Sequence, residues 1–175
     1  IAGFVAEPVQ GAGGVIPPSK NYFNLIQPLL KKYNIPFIAD EVICGFGRTG
    51  NLWGCDTYNI KPDIIISSKC LTAGFFPMGA VIVNKDFADE FNLVSEKAEE
   101  FPHGFTAGGH PVGCAIALKA IDVIINEGLL ENVRHVSPYF HERLQEFNEY
   151  EHIGETRGVG LMAALGMVKN KKTKE

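Results

Sequence analysis

Three carboxylates and one amine stand at the ends of apolar runs in this sequence. Asp40 and Glu41 end an apolar run in "FIADEVICGFGRTG", and Lys69 ends another in "IIISSKCLTAGFFPMGA". An aspartate after a strand is ordinarily a solvated loop acid or a helix cap, and Glu41 reads that way. Lys69 changes the balance for Asp40. Flanked by small residues and followed by a Gly/Pro turn, it is poorly placed for solubility. A partly buried lysine is a nucleophile towards carbonyls, and Schiff-base formation is its natural use. Glu7, closing "IAGFVAE", is a third candidate of the same kind.

These residues need elements to bring them together. Short apolar runs alternate with longer helical stretches. Strands are predicted at "IAGFVAE", "IPFIAD", "PDIIISSK" (stopping at Lys69) and "GAVIVN". A helix is predicted over residues 20–33, with Ser19 as its cap and a kink or break at Pro28. Residues 109–126 read as a well-buried Ala-rich helix, 129–149 as a more polar amphipathic one, and "RGVGLMAALGMV" as the start of a new strand. This alternation predicts an open α/β sheet, largely parallel, whose ligands lie beyond the carboxyl ends of the strands. Glu7, Asp40 and Lys69 then face one edge and converge on one cleft.

Composition narrows the function classes. The 175 residues are 46% hydrophobic and 21% charged, enough for a sizeable core. A net charge of -4 argues against a nucleic-acid or anionic-membrane partner. No apolar run approaches the ~18 residues of a membrane span. Four cysteines without a C-x-x-C pair favour reduced thiols and a cytoplasmic location. The five histidines lack metal-ligand spacing, so no metal is expected; His103 and His110 read as residues that order the loop between them. Arg48 reads as a loop anchor ahead of a phosphate or carboxylate binder, and Cys70 as a small packing residue. The opening lacks an initiator Met and a basic leader and reads as a strand inside a domain, so the chain is expected to be an excerpt of a longer one.

Four blocks, "FVAEPVQGAGGVIPP", "FIADEVICGFGRTGNLWG", "PDIIISSKCLTAGFFPMGAVIV" and "HGFTAGGHPVGCAIA", closely resemble consecutive blocks of the class III aminotransferases, most like the ω-amino acid or amine:pyruvate subgroup. The resemblance covers nearly the whole chain. It implies the aspartate-aminotransferase-like (fold-type I) large domain over residues 1–150, cut at both ends, and the start of a C-terminal small domain over 151–175. The cofactor it implies is pyridoxal 5'-phosphate (PLP). By that resemblance Lys69 holds PLP as a Schiff base and then moves a proton, Asp40 pairs with the pyridine nitrogen, and Val42 packs on one ring face. Thr106 bonds the phosphate across a dimer interface, although on its own it would read as a helix-start cap. Glu7 lies near the floor of the site. The implied substrates are a small-molecule amine or ω-amino acid and a keto acid such as pyruvate, and the implied assembly is a homodimer or higher homo-oligomer.

The pattern also departs from the family. Some members carry a Gln after the Val42 position, where it reaches the cofactor's phenolic oxygen; Ile43 cannot, which argues against a close ornithine- or gamma-aminobutyrate-type match. The family's N-terminal portion is missing, with its phosphate-cupping loop and ring-stacking aromatic. The small domain is expected to stop after its first strand, without the arginine that binds substrate carboxylate. The fragment alone is therefore expected to be inactive and to self-associate through uncovered apolar faces. Other readings stay open: an aminomutase, racemase or decarboxylase on the same scaffold, a non-catalytic interaction fragment in which Lys69 and Asp40 are relics, and last a cofactor-free Schiff-base lyase.

Overall fold

The computed structural model describes residues 1–101 and 103–175. A four-stranded sheet takes the strands in chain order: β1 (Phe4–Ala6), β2 (Phe37–Asp40), β3 (Ile64–Ser67) and β4 (Ala80–Val83). The first three run parallel, with Ala6 opposite Ala39 and Asp40 opposite Ile66; β4 returns antiparallel beside β3. The mostly parallel expectation holds.

Between β1 and β2 runs α1 (Tyr22–Lys32). Its Phe23 and Leu30 bury against Phe37 and Ala39 of β2, together with Cys55 and Ile60, and the Phe23 and Phe37 rings stack at 6.0 Å. Pro28 does not break this helix. It lies on the exposed side, where the Asn24 carbonyl that loses its partner is open to water. Nor does Ser19 cap it: the cap position is Asn21, and no side chain bonds there.

A short helical turn, α2 (Gly54–Thr57), precedes β3. After β4 comes α3 (Lys85–Ala98), which the sequence reading passed over. The signal was present: Asn84 accepts from Phe87 N at 3.0 Å, and Phe87, Phe91 and Val94 repeat at helical spacing. Two further helices are α4 (Pro111–Asn126) and α5 (Leu129–Gln145), the latter followed by a 3-10 turn over Glu146–Glu149. Contrary to expectation α4 is not well buried. Only Gly113 and Ala117 go inside, and Val112, Leu118 and Ile125 face outward.

The chain closes with a hairpin of β5 (Ile153–Val159) and β6 (Met162–Met167), where one strand was expected. This second sheet is held to the rest of the chain. Met162 packs with Val9 and Cys44, and Leu161 N donates to the Arg48 carbonyl at 2.9 Å.

Candidate active site

Three parallel strands deliver three polar side chains to one edge. Glu7 follows β1, Asp40 is the last residue of β2, and Lys69 stands two positions beyond β3. Alternation along β2 buries Phe37 and Ala39 and leaves Asp40 half-buried at the exit. Asp40 Oδ1 accepts from Val42 N at 3.0 Å, which bends the chain away from the sheet; among the described residues no donor reaches Oδ2. Val42 is half-buried beside it.

Lys69 departs from expectation in two ways. The strand stops at Ser67, and Lys69 opens a 3-10 turn, Lys69–Leu71, with φ of 46°. It is also exposed rather than partly buried. A left-handed conformation is strained for a residue with a Cβ and persists only where its surroundings impose it. Here they do. Ser68 Oγ donates to the Met78 carbonyl (2.9 Å), Thr72 Oγ1 to the Phe76 carbonyl (2.6 Å), and Leu71 is buried with Phe46 and Ala117. Among the described residues the Lys69 amine has neither an ion pair nor a hydrogen bond.

The other candidates separate. Glu7 Oε2 accepts from Gly11 N at 2.8 Å, pinning the loop after β1. Thr106 lies in an exposed turn and does not cap α4, whose cap position is His110. No hydrogen bond ties Thr106 to Glu7, Asp40 or Lys69 among the described residues. Arg48 is exposed; its carbonyl anchors the loop, and among the described residues its guanidinium makes no hydrogen bond. His103 Nδ1 accepts from Phe105 N at 3.3 Å, and the His110 ring lies 5.2 Å from that of Phe76. Ile43 covers Gly11, where a Cβ would collide with its Cδ1. A cavity of about 510 Å3 opens between β1, the following loop and the start of α1; Glu7, Asp40, Gln10, Tyr22 and Phe23 line it, while Lys69 is outside its wall. Among the described residues no cluster of three His, Cys, Asp or Glu could hold a metal.

Glu41, the first residue past β2, is not the solvated acid expected. It is fully buried, its two oxygens accepting from Gly54 N and Cys55 N at the start of α2. Burial pushes its carboxyl above the usual range against the pull of those amides. Burial likewise raises the thiols of Cys44, to about 12, and Cys55; all four cysteines are free.

Other anchors also escaped the sequence reading. Arg157 Nε donates to the Gly14 carbonyl at 2.8 Å, and Arg134 Nη1 to that of Gly50 at 2.5 Å. Ser137 Oγ donates to the Gly160 carbonyl at 3.1 Å, and His141 Nε2 bonds the same oxygen at 2.9 Å in its Nε2–H tautomer. These ties hold Gly-rich loops to α5 and the hairpin. Their chain separations leave no local signal.

The class-III aminotransferase family model matches residues 1–175. A PLP-bound aminotransferase mutant from Vibrio fluvialis superposes with a TM-score of 0.95 at 66% identity, over 99% of this chain and 38% of that one. An omega-aminotransferase from Paracoccus denitrificans gives 0.96 at 66% identity, over 99% and 39%. A chloroplastic gamma aminobutyrate transaminase of Solanum lycopersicum is 50% identical over 171 residues, 98% of this chain and 33% of that protein. The chain thus spans about a third of that curated relative's length. Ile43 alone does not exclude a gamma-aminobutyrate-type relative, as that match shows.

Proposed function

Because this chain belongs to the class-III aminotransferases, whose cofactor is PLP, we propose that it carries the electronic half of a PLP site in an enzyme that moves an amino group from an amine or ω-amino acid to a keto acid such as pyruvate. One observation carries the reading. Asp40 and Lys69 leave adjacent parallel strands at the same edge, and each keeps a polar group without a partner among the described residues. That pair fits the cofactor: an acid for its ring nitrogen and an amine for its carbonyl carbon.

When bound, PLP supplies an electron-withdrawing ring that stabilises negative charge on the substrate carbon. Asp40 would accept from the cofactor's ring nitrogen and hold the proton there, a charge-assisted bond. Lys69 would hold the cofactor through its amine and, when that amine is free, would serve as the acid-base group that moves a proton at the reacting carbon. Its exposure in this chain assigns the drying of the site to the remainder of the protein. Val42 offers a stiff β-branched surface to one ring face. Glu7 shapes the floor by fixing the Gly11 amide. Thr106, which makes no hydrogen bond among the described residues, would bind the cofactor phosphate of a second copy, so the whole protein is proposed to be a homodimer or larger. The hairpin from about residue 151 begins a second domain.

The proposed compartment is the cytoplasm, on the evidence of four free thiols. The tomato relative is named chloroplastic, so a targeting segment on the whole protein would overturn it. No helix among the described residues is long and apolar enough to cross a membrane.

Product analysis on the full-length protein tests the reaction. With an amine and pyruvate it should yield alanine and the carbonyl compound derived from the amine. Carbon dioxide, an isomer or a racemate would assign it to decarboxylase, aminomutase or racemase chemistry. A second reading, a non-catalytic fragment, is favoured by the exposure of Lys69 and its place outside the cavity wall. Absence of any turnover by a folded, PLP-loaded full-length protein would support it.

A further inference from the structure

Glu41 is the one carboxylate with no exposed surface among the described residues, and the chemistry proposed above makes no use of it. Burying a carboxylate is costly unless its oxygens are satisfied. Here both are: Oε2 accepts from Gly54 N at 2.9 Å and Oε1 from Cys55 N at 2.6 Å. Its backbone is engaged as well. Its N–H donates to the Ile66 carbonyl of β3 at 2.9 Å, and its carbonyl accepts from Gly45 N at 2.8 Å. Gly54 is shaped for this approach. A Cβ there would lie 2.7 Å from Cys44 Cβ, 2.9 Å from Pro8 Cβ and 3.1 Å from Glu41 Oε2, so only glycine lets the backbone reach the acid.

Glu41 lies one residue past β2, but its N–H bond to Ile66 continues the β2–β3 ladder and burial still alternates through Phe37, Ala39 and Glu41, so side chains 40 and 41 point to opposite faces. An acid anchored inward at position 41 therefore turns its neighbour at position 40 outward, and Asp40 does line the cavity. We propose that Glu41 is a positioning residue for Asp40: by clamping the chain at the exit of β2 to the Gly54–Cys55 amides, it holds the Asp40 carboxylate on the cofactor's ring nitrogen. This rests on the assignment of Asp40 made above.

The test uses full-length protein loaded with PLP, comparing the parent with Glu41→Ala, Glu41→Gln and Asp40→Asn. The readouts are the pH profile of the cofactor's visible absorption and its retention on dialysis, with thermal melts to check folding. Glu41→Ala should shift the profile in the same direction as Asp40→Asn and weaken retention roughly tenfold, the usual scale for a supporting contact. Glu41→Gln keeps the reach but only one acceptor, and should fall between. A folded Glu41→Ala with the parent's profile and retention, beside an altered Asp40→Asn, overturns the inference while leaving the cofactor assignment standing. A silent Asp40→Asn sinks the assignment, and this inference with it. Should Glu41→Ala not fold, Glu41→Gln decides: a profile moved towards that of Asp40→Asn supports the clamp, and a parental profile refutes it.

Discussion

Asp40 and Glu41 are neighbours in sequence with opposite fates: one half-buried at a cavity, the other fully buried. Their difference follows from strand alternation and from the amides each can reach. Asp40→Asn in the full-length enzyme should lower turnover by about a hundredfold to a thousandfold, the cost of losing one preorganised electrostatic partner; an unchanged rate would disprove the ring contact. Glu41 makes a prediction about stability. Its folded pKa is raised, so its contribution is complete below the usual glutamate value and is lost as pH rises through the folded value. Urea unfolding of parent and Glu41→Gln over a pH series should therefore show the parent losing ground as pH rises through that window. A parent that gains on Glu41→Gln with rising pH would contradict it. Both acids were visible in the sequence, but Glu41's burial was not, because its donors lie on α2 and no local pattern announces them.

Elements explain how the edge is built, and they were the most legible part of the chain. The β1, β2 and β3 runs read directly from apolar stretches that end in a charged or polar residue. Helix α3 was missed because its polar composition hid a three-residue apolar stripe, and the hairpin because Gly158 and Gly160 make its turn compact. The loop after β1 is set by contact rather than by conformation: Gly11 passes under Ile43 with no room for a Cβ. Gly11→Ala should cost about 1–3 kcal/mol by overpacking. Ile43→Val removes the Cδ1 that would be struck, so the double variant should recover about 1 kcal/mol relative to additivity. Denaturant titration of the four proteins measures the coupling, and strict additivity would remove Ile43 as the constraint.

For the whole molecule, what stands out is unfinished surface. Phe75 (82% exposed), Leu25 (73%), Leu118 (70%) and Val81 (68%) face outward across the sheet edge and three helical or loop regions. A self-contained domain seldom leaves so much apolar area uncovered, and this chain spans about a third of its tomato relative. The isolated 175-residue chain should elute as a mixture of oligomers, whereas the full-length protein should give one defined species. A clean monomer of the isolated chain would show that these faces need no cover. The exposure of Lys69 could not be read from sequence: the apolar run before it signals a buried strand end, but the strand stops at Ser67 and Lys69 opens a 3-10 turn.

Lys69 and Asp40 are proposed to grip opposite ends of one cofactor. A crystal structure of the full-length protein with PLP tests it directly. The expected result is a covalent link from Lys69 Nζ to the cofactor's carbonyl carbon, with an Asp40 carboxylate oxygen about 2.7–2.9 Å from the ring nitrogen. Cofactor attached to another lysine, or a ring nitrogen facing any group but Asp40, would contradict it.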